Sequence, residues 1–136
     1  MSARGSVTVW LLGLALMLVP LGGLALDLGR ASSERRALAA AADAAALAGG
    51  GALDEARYRR DGTVALDPRL AEQRAHVSLA AQLDRAALRS VVVRADPEQV
   101  TVVVEGAVDL TLLRLVDGGA PFTVRVSSTA RPHRLP

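Results

Sequence analysis

An uncharged apolar run from Val7 to Leu26 passes without a break into Asp27-Leu28-Gly29-Arg30 and then into a stretch dominated by alanine. Those 20 residues rise about 30 Å as a helix, the hydrocarbon thickness of a bilayer. No turn cluster follows them. From Asp27 to Ala48 there is no proline and Gly29 is the only glycine, and alanine is the best helix former. The pattern predicts one helix over 7–47, about 60 Å long, with 7–26 in the membrane and 27–48 continuing beyond it. Gly49-Gly50-Gly51 stops it, because glycine is costly inside a helix and common just past its end. Pro20 and Gly22-Gly23 would kink a soluble helix, but membrane helices tolerate them.

The same N-terminus fits a second reading. Met1 to Arg4 has the form of a positive n-region, Val7 to Val19 of an h-region, and Gly23-Leu24-Ala25 of a small-x-small cleavage site. Cleavage after Ala25 would release a secreted binding module. The length of the run and its continuation as helix favour an anchor instead. Orientation conflicts with the arginine count. Arg4 stands on one side of the span and Arg30, Arg35 and Arg36 on the other. The positive-inside rule read literally puts the larger part in the cytoplasm, where the chain would be a membrane-bound regulatory protein.

Outside the span remain 136 − 26 = 110 residues, enough for one small domain. The aromatic residues are Trp10, Tyr58 and Phe122, and Trp10 lies in the apolar run. The core must therefore come from Ala, Val and Leu, which bury less area per residue than rings do. Cysteine is absent, which excludes disulfides and thiolate metal sites. All 16 basic residues are Arg, the net charge is +2 and the charges are mixed. A nucleic-acid binder concentrates its positive charge on one face, so no nucleic-acid partner is expected. Arg57, Arg59 and Arg60, broken by Tyr58, read as a solvated surface.

Residues 1–6 read as a short tail and 49–67 as a linker. A small α+β domain is expected over 68–130 and a disordered tail over 131–136. Asp67-Pro68 pairs an N-cap with proline at the first helical position. The helix it opens is expected to run to about Leu88, with apolar stripes Leu70-Val77-Ala81 and Ala75-Leu79-Leu83. The period then changes to two. Val91-Val92-Val93 leads into the turn Asp96-Pro97-Glu98-Gln99, and Val100, Val102 and Val104 alternate after it, a hairpin signal. Val108, Leu110 and Leu112 predict another strand or a short helix, Asp117-Gly118-Gly119 a loop, and Phe122, Val124 and Val126 a last strand. Three or four such strands make an antiparallel sheet with one buried face and edges open to a partner strand.

No catalytic constellation emerges. His76 lacks ligands at metal spacing except Glu72, which reads as solvated, and His133 lies in the tail. Ser127 and Ser128 have no nucleophile elbow around them. Gly49-Gly50-Gly51 follows a helix rather than opening one, so it cannot cradle phosphate. Asp27 and Asp43 are too far apart to act as paired carboxylates. The expectation is a protein that is not an enzyme, with no cofactor, no metal and no small-molecule substrate.

Two stripes of the rod read either as parts of a generic alanine-rich helix of good propensity or as packing surfaces for neighbouring helices. Ala25, Gly29 and Ser33 recur every fourth residue, a small-residue ridge that lets a second helix approach. Leu38, Ala42 and Ala45 form another apolar stripe. Arg4-Gly5-Ser6-Val7-Thr8-Val9 before the span, Asp27-Leu28-Gly29-Arg30 and Arg35-Arg36-Ala37-Leu38 after it, and the block Ala42-Asp43-Ala44-Ala45-Ala46-Leu47-Ala48-Gly49 together resemble the N-terminal region of TadG-like and TadE-like Flp pilus-assembly proteins of the tight-adherence machinery, the short actinobacterial TadG-related type above all. The ending Thr123 to Ala130 is similar to the family's ending too. The resemblance implies a pilin-like layout: a long N-terminal helix, half transmembrane, a second helix and a small antiparallel sheet. It implies a single-pass protein of the bacterial cell membrane whose C-terminal domain is extracytoplasmic, against the arginine count. Its partners would be membrane lipid and other pilus-assembly or secretion-system proteins, met through helix packing and the sheet edge. The residues it marks are Asp27, Gly29, Arg30, Arg36, Leu38, Ala42, Asp43, Ala44, Ala45, Leu47 and Gly49. Prepilin-type processing in the TadE-like branch uses a glycine followed by a short stretch ending in Glu. Gly5 is the candidate glycine, but Trp10 holds the position of that Glu, which favours the TadG-like branch with its anchor kept.

Overall fold

The computed structural model describes residues 3–84, 88–108, 110 and 121–132. Its elements run α1 (Ala3–Gly50), α2 (Glu55–Asp61), α3 (Pro68–Gln82), β1 (Leu88–Ala95), β2 (Val100–Val108) and β3 (Phe122–Ala130). This is an α+β layout with a three-stranded antiparallel sheet ordered β1-β2-β3. The chain divides into two compact units, Met1–Ser33 with Val108–Phe122 and Glu34–Ala107 with Thr123–Pro136.

In the first unit the described part is dominated by the apolar portion of α1. Large side chains from Val7 through Leu28 are exposed on every side of it. Pro20 lies inside the helix, so one carbonyl of the preceding turn goes without its usual backbone donor.

In the second unit the rest of α1 lies on the sheet. Leu38 sits against Gly106, Gly49 against Val100 and Gly50 against Ala130. The helix therefore runs antiparallel to β2. Along β2, Val100, Val102, Val104, Gly106 and Val108 are buried and the residues between them half-buried, as the two-residue period of a strand with one covered face requires. β1 meets β2 with Val91 opposite Val104 and Val93 opposite Val102. The contacts Thr101–Thr129 and Glu105–Arg125 give β3 its antiparallel register on the other side. Of the sixteen buried apolar residues among those described, eight are alanine, five valine and three leucine. The core is thin, as the scarcity of aromatic residues implies.

Asp67 caps α3 as expected, its carboxylate accepting from the Leu70 N–H at 3.2 Å with Pro68 behind it. α3 buries Ala71, Ala75 and Leu79, a single stripe at every fourth position, and leaves Val77 and Ala81 exposed. It stops at Gln82, short of Leu88. Leu83 is already extended (φ −123°, ψ 135°), because Leu88 is taken into β1 opposite Gly106 and long-range pairing outweighs local helix propensity. The hairpin turn is closed by the Asp96 carboxylate, which accepts from Glu98 N–H at 2.8 Å and Gln99 N–H at 2.9 Å.

Residues 49–67, expected as a linker, contain α2, capped by Asp54 and closed by Gly62 at φ 70°, the left-handed geometry that glycine adopts freely. The flanks of α2 are tied together. Leu53 and Leu66 form an antiparallel bridge, Asp67 N–H donates to the Ala52 carbonyl, and Leu66 N–H donates to the Pro97 carbonyl, both at 2.9 Å. Leu110 apart, the expected element over 108–112 beyond Val108, the loop at 117–119 and the tail from His133 lie outside the described residues.

Candidate interaction surface

The sequence-marked residues fall into three environments along α1. The first is bare and apolar. Fourteen large apolar side chains between Val7 and Leu28 are exposed, Trp10 by 74% and Leu16 by 76%. Each side chain of this kind gains about 1.5–3 kcal/mol on leaving water, so the set amounts to roughly 20–40 kcal/mol. That exceeds the net stability of a typical domain, about 5–15 kcal/mol. A helix apolar on all sides needs an apolar surrounding, and among the described residues it is the one helix long and apolar enough to cross a membrane.

The second environment starts at Asp27, which is 2% exposed and so sits among protein atoms rather than in the apolar surround. Gly29 has open space where a side chain would be, and Ala25, Ser33, Arg30 and Arg36 are exposed. The ridge Ala25-Gly29-Ser33 is thus uncovered by the described residues.

In the third environment the helix has two different sides. Leu38, Ala41, Ala42, Ala45, Ala46 and Gly49 are buried and form the seam with the sheet. In the stripe Leu38-Ala42-Ala45, which the sequence offered as a surface for a neighbouring helix, Leu38 is seated on Gly106 of the chain's own β2 and Ala42 and Ala45 are buried with it. Ala44 is half-buried, and Asp43 and Leu47 point to solvent, Leu47 with 74% exposure. Beside Leu47 a shallow groove opens between the end of α1 and α3, lined by Ala48, Leu70, Gln73, Arg74, Val77 and Ser78.

Three positions that hold this surface in shape carried weaker sequence signals. Gly106 lets Leu38 approach β2; an isolated glycine in a strand pattern is the signal for such an approach. Arg74 Nη1 donates to the Gly51 carbonyl at 3.0 Å, satisfying a carbonyl at the C-terminus of α1. Glu72, expected to be solvated, is half-buried and its Oε1 accepts the Ala95 N–H of β1 at 3.2 Å. His76 is exposed, and among the described residues no three His, Cys, Asp or Glu side chains are grouped as a metal site would need.

Residues 5–54 match a family model named Tad, described as "Putative Flp pilus-assembly TadE/G-like". Across this segment the chain is similar to that family. The matched segment takes in the apolar run, Asp27, both sides of α1 and the turn into α2, and stops short of α3 and the sheet. It supports involvement in Flp pilus assembly, and it fits the apolar N-terminal helix as a membrane anchor. No curated protein and no solved structure matches the chain.

Proposed function

We propose that this protein is a membrane-anchored, non-enzymatic assembly factor or minor pilin-like component of a Flp/Tad-type pilus or secretion system. Residues 7–26 cross the cell membrane once, 27–48 carry the helix out of it, and the C-terminal domain is extracytoplasmic. Other assembly components meet the ridge Ala25-Gly29-Ser33, the exposed side of α1 around Asp43 and Leu47, and the edge of the sheet at β3. The observation that supports this reading most is the change of environment along α1, from fourteen bare apolar side chains to a small-residue seam on the sheet, inside the segment with the pilus-assembly match. In such a division of labour the lipid-facing half can pack between helices while the sheet is presented to partners.

The test is a Ser127→Cys variant of the full chain, since Ser127 is exposed on the sheet face away from α1. In intact cells a membrane-impermeant maleimide is expected to label it, and the chain is expected to stay with the membrane through alkaline carbonate extraction. Labelling only after lysis would put the domain in the cytoplasm. Release by carbonate would remove the anchor.

A further inference from the structure

Large exposed apolar side chains stop at Leu28 and resume only at Leu47. Immediately past that stop, α1 carries Arg35 and Arg36, both exposed and neither with a hydrogen bond or ion pair among the described residues. We propose that Arg35 and Arg36 form an arginine clamp for the phosphate groups of anionic phospholipids in the leaflet where the helix leaves the membrane. The proposal rests on the anchor reading above.

The positions fit the headgroup layer. Arg35 is nine residues beyond Leu26, where the span ends, on one unbroken helix, about 13 Å along its axis, and the headgroup region extends roughly 5–8 Å beyond the hydrocarbon, so the side chain meets it by reaching back. Helical side chains slant toward the N-terminus, which here is toward the membrane. The long arginine stems therefore lean back into the headgroups, the reverse of a charge reaching out of the core. Leu38 is seated on Gly106; Arg36 lies about 200° round the helix from it and points away from the sheet, while Arg35 lies about 60° from it, on the flank of the helix, and both are exposed. Counting the neighbouring charges, Arg30, Arg35 and Arg36 stand against Asp27 and Glu34, a local excess of one positive charge. Guanidinium groups bind phosphate through two parallel N–H donors.

The experiment reconstitutes the full chain in phosphatidylcholine vesicles and measures, by spin-labelled lipid, the association of phosphatidylglycerol relative to phosphatidylcholine. The wild-type chain is expected to prefer phosphatidylglycerol about threefold or more at low salt. The Arg35→Gln/Arg36→Gln variant falls to near parity, Arg35→Lys/Arg36→Lys keeps a preference, and Arg59→Gln/Arg60→Gln on α2 matches wild type. An unchanged preference in Arg35→Gln/Arg36→Gln, or none in wild type, overturns the clamp while leaving the anchor intact. Loss of the preference when inorganic phosphate is added at constant ionic strength assigns the arginines to a soluble anion and overturns it too. Absence of any motionally restricted lipid around the wild-type chain removes the anchor, and the clamp with it.

Discussion

Gly106 and Leu38 meet so closely that a methyl group on Gly106 would lie 2.7 Å from Leu38 Cδ1 and 3.3 Å from Cδ2. Leu38 is 5% exposed, so its side chain has little room to turn. Gly106→Ala is expected to lower stability by about 1–3 kcal/mol, the usual range for overpacking. Pairing it with Leu38→Ala should give less loss than the two single changes summed. Chemical denaturation of the four proteins in detergent yields the coupling, and strict additivity would show that the two residues do not share the space.

Two glycines of α1 should respond to alanine in opposite directions. At Gly49 an added Cβ would fall 2.9 Å from the Ala71 carbonyl oxygen and 3.1 Å from Val100 Cγ2. A backbone oxygen cannot rotate away, so the clash of about 1–3 kcal/mol outweighs a propensity gain of at most about 1 kcal/mol. Gly29 has nothing within 4 Å, and Gly29→Ala should leave the isolated chain as stable or more so. If the ridge packs against other helices, Gly29→Ala also reduces pilus assembly. A stable variant that assembles normally would remove the ridge from the mechanism.

Glu72 is a structural acceptor for β1. Glu72→Ala takes away the partner of the Ala95 N–H and is expected to cost about 1–3 kcal/mol. Glu72→Gln keeps an acceptor oxygen at that place and should recover most of it. Hydrogen exchange at the Ala95 amide is the direct measurement, rising in the alanine variant and not in the glutamine one.

Asp61 provides a pH test. The Thr63 side chain, then its backbone N–H at 2.9 Å, hydrogen-bond the carboxylate and hold its pKa below the ordinary 3.8. A group with a depressed folded-state pKa adds stability above its unfolded pKa and loses it as pH falls through the folded value. The group is fully exposed, so the effect is local to the end of α2. Thr63→Val should raise the Asp61 pKa toward 3.8 in an NMR titration while leaving the fold at neutral pH unchanged.

Much of this architecture is legible in the residues. The helix of 3–50, the cap at Asp67, the turn at Asp96 and the strands on either side each rest on local signals, namely apolar length, alanine content, cap chemistry and two-residue alternation. What was not legible depends on contacts between distant segments. The stripe Leu38-Ala42-Ala45 shows that something packs there, but one helix stripe does not say whether the cover is a neighbouring helix or the chain's own sheet. The end of α3 was overrun because Leu83 to Leu88 has no breaker, and Leu88 is claimed by Gly106 eighteen residues later. α2 escaped because it has no buried residue and so no apolar period to read. Glu72 looked solvated because its partner is a backbone N–H, which leaves no trace in side-chain patterning.

The seam between α1 and the sheet is already at minimum volume. Ala41, Ala42, Ala45, Ala46 and Gly49 leave almost nothing to trim, so most substitutions there can only push the helix and sheet apart. Tolerance to mutation should therefore follow added volume rather than lost hydrophobicity. A saturation scan would show a stripe that rejects large apolar and polar residues alike yet accepts serine, the reverse of an ordinary leucine core, where truncation does the damage.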